Sequence, residues 1–122
     1  MKYLCIVFLD ETQMDAMSDA QRKELDRQSL KYDETLRRRG NFVAAEALQS
    51  RSRASCVRCR DGEFAVTDGP FIETNEYIGG FILIDAHDQD EAIAIAKGIP
   101  VARFGGVEVR PILSLTQRLQ RT

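Results

Sequence analysis

Two short runs, Lys2–Leu9 and Gly80–Asp85, are apolar at nearly every position between their ends. Alternate residues of a strand point to opposite faces. Leu4, Ile6 and Phe8 therefore share one face of the first run, and Tyr3, Cys5, Val7 and Leu9 share the other. In the second run Phe81 and Leu83 oppose Ile82 and Ile84. A strand apolar on both faces must be covered on both. This requirement restricts the fold more than any other feature of the chain, because only two stretches are amphipathic helices long enough to do the covering.

The first helix starts where Ser18 and Gln21 form a capping box. It runs to about Arg39, with Gly40 as its stop. Leu25, Ser29, Tyr32 and Leu36 make a thin apolar stripe, and Arg37, Arg38 and Arg39 complement the C-terminal dipole. The second helix follows a capping pair, Asp88 and Glu91, continues through Ala92, Ile95, Ala96 and Ile99, and stops at Gly98-Ile99-Pro100. His87, the lone histidine, stands just before it and reads as a capping or solvated residue. Residues 11–17 read as a polar connection.

The remaining segments are strands. From about Asn41 to Gln49, Val43, Ala45 and Ala47 are small enough to lie under a helix, while Phe42, Ala44, Glu46 and Leu48 share the other face. Burial of that face would favour the protonated form of the Glu46 carboxyl and make it a candidate acid or base. Residues 54–67 read as a hairpin about Asp61-Gly62. Its register sets Arg60 against Glu63 as an ion pair, Cys59 against Phe64, and Val57 against Val66. In the last strand, Val107–Ile112, Val107 and Val109 face one way, Glu108 and Arg110 the other. Stripped of the hairpin, the order is βαββαβ, a ferredoxin-like α+β fold. Its helices cover one sheet face. Apolar patches beyond roughly a few hundred Å² are rare on monomers, so a symmetric homodimer stacking sheet on sheet is expected. Phe42, Glu46, Glu108 and Arg110 would line the space between. Residues 1–113 read as one domain and 114–122 as a tail, helical or frayed.

Composition excludes several partners. The formal net charge is -2 over 122 residues, so no nucleic-acid partner is expected. No apolar run approaches the ~20 residues of a membrane span, and the N-terminal run reads as a strand rather than a signal peptide. The chain is expected to be cytoplasmic. Cys56 and Cys59 have C-x-x-C spacing, but residues three apart on a strand point to opposite faces. They read as strand packing rather than a metal or redox pair, and no cofactor is expected.

The densest cluster of turn formers and carboxylates is Asp68-Gly69-Pro70-Phe71-Ile72-Glu73-Thr74-Asn75-Glu76. The proline restrains Gly69 toward extended geometry, and Phe71 reads as the anchor that fixes the loop in a core. Asp68, Glu73 and Glu76 set three acceptors around the Thr74 hydroxyl. Such a loop serves either as the floor of a site or as a capped connection with solvated acids.

That run, with the following Gly79-Gly80-Phe81-Ile82-Leu83-Ile84, resembles the signature of the DGPF branch of the YCII-related proteins. Lys2-Tyr3-Leu4, Glu46-Ala47-Leu48-Gln49, Val66-Thr67 and Glu108-Val109-Arg110-Pro111 extend the resemblance along residues 2–112. It implies the fold of the dimeric α+β barrels, in agreement with the two-faced strands. Related YCII proteins resemble small-molecule enzymes with a histidine–aspartate pair. Here no histidine lies between Lys2 and Arg39, His87 does not match that motif, and Asn75 stands where the branch usually has lysine. The branch also implies a link to extracytoplasmic-function sigma factors.

Two functions follow. The first is a small-molecule site in the dimer cavity, with Asp68, Glu73 or Glu46 as acid or base, Arg110 fixing an anionic group, and Pro70, Phe71, Thr74 and Glu108 lining it. The second is a regulatory or interaction protein in which the acidic loop shapes the fold or docks a partner. With neither a nucleophile–base pair nor a metal set, the sequence gives no reaction class.

Overall fold

The computed structural model describes residues 1–121. The chain is a mixed α+β structure whose four-stranded antiparallel sheet runs in the order β2-β5-β1-β6. These strands are β1 (Lys2–Asp10), β2 (Phe42–Ala47), β5 (Glu76–Asp85) and β6 (Gly105–Pro111). The hairpin β3 (Ser55–Arg60) and β4 (Glu63–Asp68) forms a separate two-stranded sheet. Helices α2 (Asp19–Arg38) and α3 (Gln89–Lys97) cover one face of the main sheet. Leaving out the hairpin, this is the ferredoxin-like strand order expected from the sequence.

Tyr3, Cys5, Val7 and Leu9 of β1 and Ile82 and Ile84 of β5 are buried beneath Leu36 of α2 and Ala92, Ile95 and Ala96 of α3. Leu36 and Ile84 are fully enclosed, and burying each contributes about 1.5–3 kcal/mol. Both helix starts follow their capping residues. The Gln21 amide donates to Ser18 Oγ at 3.1 Å while the Ser18 amide donates to Gln21 Oε1 at 2.8 Å. At α3 the Glu91 amide donates to Asp88 Oδ1, but the Glu91 side chain accepts from the His87 amide rather than from the cap. The Tyr32 hydroxyl donates to the Ile95 carbonyl at 2.6 Å and ties the helices together.

On the opposite face of the sheet, Leu4, Ile6, Phe8, Phe81 and Leu83 are only half-buried. This is the uncovered apolar face that the two-sided strands required. Glu108 and Arg110 stand on it, beside Ile6 and Leu4.

Four local expectations are corrected. The stretch 11–17 contains a short helix, α1 (Glu11–Asp15), because Asp10 accepts from the Gln13 amide and caps it. This is the same three-residue spacing as Ser18 and Gln21. A bulge between Phe42 and Ala44 turns Phe42 onto the core face, opposite Ile84, while Glu46 stays on the open face opposite Phe81. The hairpin register is as read, with Asp61 and Gly62 at φ 53 and 81 in its turn. However, Arg60 and Glu63 make no ion pair, both side chains being exposed at the hairpin tip. Finally, Gly69 adopts φ 97, a left-handed backbone rather than an extended one. The expected tail contains α4 (Leu115–Gln120), capped by Ser114, and its last residue, Thr122, lies outside the described residues.

Candidate functional site

The acidic loop ends beside a cavity of about 730 Å³. Pro70, Phe71, Ile72 and Thr74 form one wall. Phe8 of β1 and Ile78 of β5 form another on the open face of the sheet, with Tyr77 opposite Leu9 on the core side, and Leu48, Gln49, Ser50, Arg51, Arg53 and Ala54, just after β2, form the third. The volume lies within the roughly 300–1,000 Å³ of small-molecule sites.

Backbone contacts fix the loop where it leaves the hairpin. The Gly69 amide donates to the Ala54 carbonyl at 2.7 Å, and the buried Cys56 thiol donates to the Gly69 carbonyl at 2.9 Å. Gly69 makes both contacts at a positive φ of 97, at which a side chain would be strained. Cys56 is thus a structural partner of the loop, while Cys59 is exposed on the opposite face of β3.

Arg51 fixes the other end. It sits in a 3₁₀ turn, Arg51–Arg53, and its guanidinium donates to Glu11 Oε2 at 2.6 Å and to the Thr74 carbonyl. The same group lies 5.0 Å from the centroid of the Tyr77 ring. Asn75 completes the tie by donating to Asp10 Oδ2 at 2.8 Å and accepting from the Thr12 hydroxyl and the Glu11 amide. Burial pushes the Tyr77 phenol above its ordinary pKa, with Asp15 adding to the rise and Arg51 opposing it.

Arg51 belongs to no periodic pattern, and no neighbouring residue marks it. Its role comes from a contact across forty residues of chain, between Glu11 and Arg51. Asn75 was visible only as a departure from the lysine of the resembling branch. Here it occupies the position as a hydrogen-bonding tie.

The expected site residues fall in three places. Pro70, Phe71 and Thr74 line the loop cavity. Asp68 ends β4 and Glu73 lies within the loop, and both are exposed. Glu46 on edge strand β2 and the pair Glu108 and Arg110 on edge strand β6 stand at opposite edges of the main sheet. Three strand spacings of about 4.8 Å separate them, so one chain does not bring them together. Within the pair, Arg110 Nε lies 3.9 Å from Glu108 Oε2. Phe71 does not enter the core. It is 59% exposed, with the Arg58 guanidinium 4.4 Å from its ring centroid.

Beneath α2 is a second cavity, of about 620 Å³. It exists because the helix stripe is thin at Ser29 and the strands below carry Ala45, Ala47, Gly79 and Gly80. Of the charged residues around it, Asp26 and Asp33 stand on α2, Glu46 is an exposed residue of the edge strand β2, and no cation lines it. Burial holds the Asp33 carboxyl above the usual carboxylate range, with Arg37 opposing the rise.

Sheet order, helix layer and inserted hairpin define an α+β protein of ferredoxin-like topology with a loop-lined cavity. The chain belongs to the YCII-related family, whose YCII-related domain matches residues 1–116. An uncharacterized protein of Rhizobium meliloti is 33% identical over 118 residues, covering 92% of each chain. The 5-chloro-2-hydroxyhydroquinone dehydrochlorinase of Burkholderia phenoliruptrix, solved in complex with 2,5-dihydroxybenzoquinone, shares the fold. Its TM-score is 0.58 at 13% identity, covering 96% of this chain and 98% of that one. Among the described residues no helix is long and apolar enough to cross a membrane, and no cluster of three or more histidine, cysteine, aspartate or glutamate side chains is arranged to hold a metal ion.

Proposed function

We propose that this chain binds a small molecule in the loop cavity, as a binding protein or small enzyme. The observation that carries this reading is the construction of the cavity. A loop fixed at both ends, by Gly69 and by Arg51, holds apolar side chains and two guanidinium groups around one space. Preformed, mostly apolar walls with a few convergent polar groups are the usual makings of a ligand site. Asp68 and Glu73 are then the acids of the cavity rim and the candidate proton carriers. The dehydrochlorinase of like fold, solved with a hydroxyquinone, is compatible with a small-molecule role.

In the same reading the protein works as a homodimer, in the manner of the dimeric α+β barrels and the DGPF branch. Half-buried Leu4, Ile6, Phe8, Phe81 and Leu83 form the face that a second copy covers. Phe8 belongs both to that face and to the cavity wall, so dimerisation would close the site. Glu46 from one copy and Glu108 and Arg110 from either would then share the space between the sheets.

The test is isothermal titration with 2,5-dihydroxybenzoquinone in a Cys59→Ser background, which removes the exposed thiol as a nucleophile toward quinones. Saturable binding, weakened at least tenfold by Phe71→Ala, is expected. Unchanged affinity in a folded Phe71→Ala variant would remove the loop cavity from the account.

A further inference from the structure

Resting on the homodimer proposed above, we infer that each copy lays its C-terminal helix α4 on the hairpin arm of the other. Two parts of the chain expose apolar side chains away from the body. The arm, β3 and β4, is a two-stranded sheet by itself, and such a pair is marginal alone in water. One of its faces is held by its own chain, through the Cys56 thiol on the Gly69 carbonyl and Arg58 over the Phe71 ring. The other face carries Val57, Phe64 and Val66, which are 55%, 74% and 68% exposed. Helix α4 carries Leu115 and Leu119, one helical turn apart and 62% and 86% exposed.

Arm and helix stand at opposite ends of the uncovered sheet face. The arm rises where β1 ends, since the cavity at its foot is walled by Phe8 and Ile78. Helix α4 follows β6 where β1 begins: Pro111 pairs with Tyr3, and the Ile112 amide donates to the Lys2 carbonyl. The 9 residues of β1 hold the two about 30 Å apart. A second copy laid on the open face, turned end for end about an axis across the strands at Ile6, brings each α4 to the other copy's arm. The contact is then made twice and the assembly closes. Charge agrees with this pairing. Residues 114–121 contain Arg118 and Arg121 and no acid, while the apolar arm face lies between Asp61 at the tip and Asp68 at the foot. Area agrees as well. A four-stranded sheet face with strands about seven residues long measures roughly 14 by 24 Å, about 340 Å² in plan. A stable interface takes about 800 Å² from each partner. The arm and α4 supply apolar surface that the sheet face alone lacks.

The experiment combines sedimentation equilibrium with cross-linking of the full chain. Phe64→Ser and Leu119→Ser change exposed side chains and should leave the circular dichroism spectrum as it is. Each is expected to weaken dimerisation about tenfold or more, and the double variant no further than the stronger single one, because both remove the same contact. Cys59 stands on the apolar arm face opposite Phe64, and Cys5 and Cys56 are buried. A short bis-maleimide therefore reads what lies against the arm. Leu119→Cys should be joined into a covalent dimer, and the same variant carrying Cys59→Ser should not. The wild type should not be joined either, since the two arms lie at opposite ends. Joining of the wild type through its two Cys59 thiols places arm on arm and overturns the inference. A wild-type dimer whose affinity neither Phe64→Ser nor Leu119→Ser changes overturns it also, and leaves the sheet-to-sheet dimer standing. A wild type monomeric at micromolar concentration contradicts both the inference and the dimer on which it rests.

Discussion

Arg51 and Glu11, forty residues apart in sequence, meet at 2.6 Å and join the 3₁₀ turn after β2 to helix α1. The Arg51 side chain is only 23% exposed, and it bonds the Thr74 carbonyl as well. It closes the lower end of the loop, as Gly69 closes the upper.

Replacing Arg51 by alanine should therefore do more than remove a surface ion pair. Exposed pairs are worth about 0–1 kcal/mol, but here a carbonyl bond and a ring contact go with it. We expect a loss of about 1–2 kcal/mol in urea unfolding. Hydrogen exchange should quicken across residues 70–76 and stay unchanged in β1. Glu11→Gln, which keeps a hydrogen-bond acceptor, should cost less than half as much.

Gly69 carries the turn into the cavity wall at φ 97. The nearest atom to an added Cβ is Glu73 Oε1 at 4.0 Å, so space does not oppose a side chain; the backbone conformation does. Gly69→Ala should cost about 1–2 kcal/mol. Gly106→Ala serves as the control, because an added Cβ there meets nothing within 4 Å and φ is not positive. It should change thermal stability by no more than about 0.5 kcal/mol.

Stability should fall in alkali through Cys5. Burial against Ile82 and Val109 pushes its thiol from 9.0 to about 11. The unfolded chain loses this proton first, so the stabilisation is complete below pH 9.0 and is lost as pH rises toward about 11. Linkage sets the loss at about 2–3 kcal/mol. Tyr32, raised chiefly by burial and further by Cys5 while Arg39 opposes, loses stability in the same direction above pH 10.0. Denaturant unfolding at stepped pH should show the decline, and Cys5→Ala should flatten its first part.

The uncovered sheet face leads to an expectation about assembly. Ile6 lies at its centre, between Phe81 on β5 and Glu108 on β6. Sedimentation of the wild type should give twice the chain mass. Ile6→Asp should give a folded monomer, because a carboxylate desolvated between two sheets has no partner there. A wild type monomeric at micromolar concentration would remove the dimer and the closure of the site that it supplies.

Much of this architecture was legible because it rests on local periodicity. The two-sided strands, the Ser18 capping box and the Asp61-Gly62 hairpin each reflect a pattern within a few residues, and the hairpin pairing was readable to the residue. What escaped depends on contacts distant in sequence or on a single irregular residue. The bulge at Val43 shifts Phe42 to the core face, and alternation cannot foresee an inserted residue. Phe71 is apolar and was read as a core anchor, but its ring stands outside under Arg58, since composition does not say which surface an aromatic side chain covers. Pro70, Phe71 and Thr74, which line the loop cavity, stood out in the sequence by their clustering. Arg51 and Arg53 did not, because an arginine gains its meaning from the cavity it reaches.

The most direct test is a chemical-shift map of the labelled Cys59→Ser protein titrated with 2,5-dihydroxybenzoquinone. The account predicts that perturbations concentrate on the amides of Phe71, Thr74, Arg53 and Tyr77 and grow to saturation. Shifts centred instead on Ser29 and Asp33, or spread evenly over the surface without saturating, would contradict it.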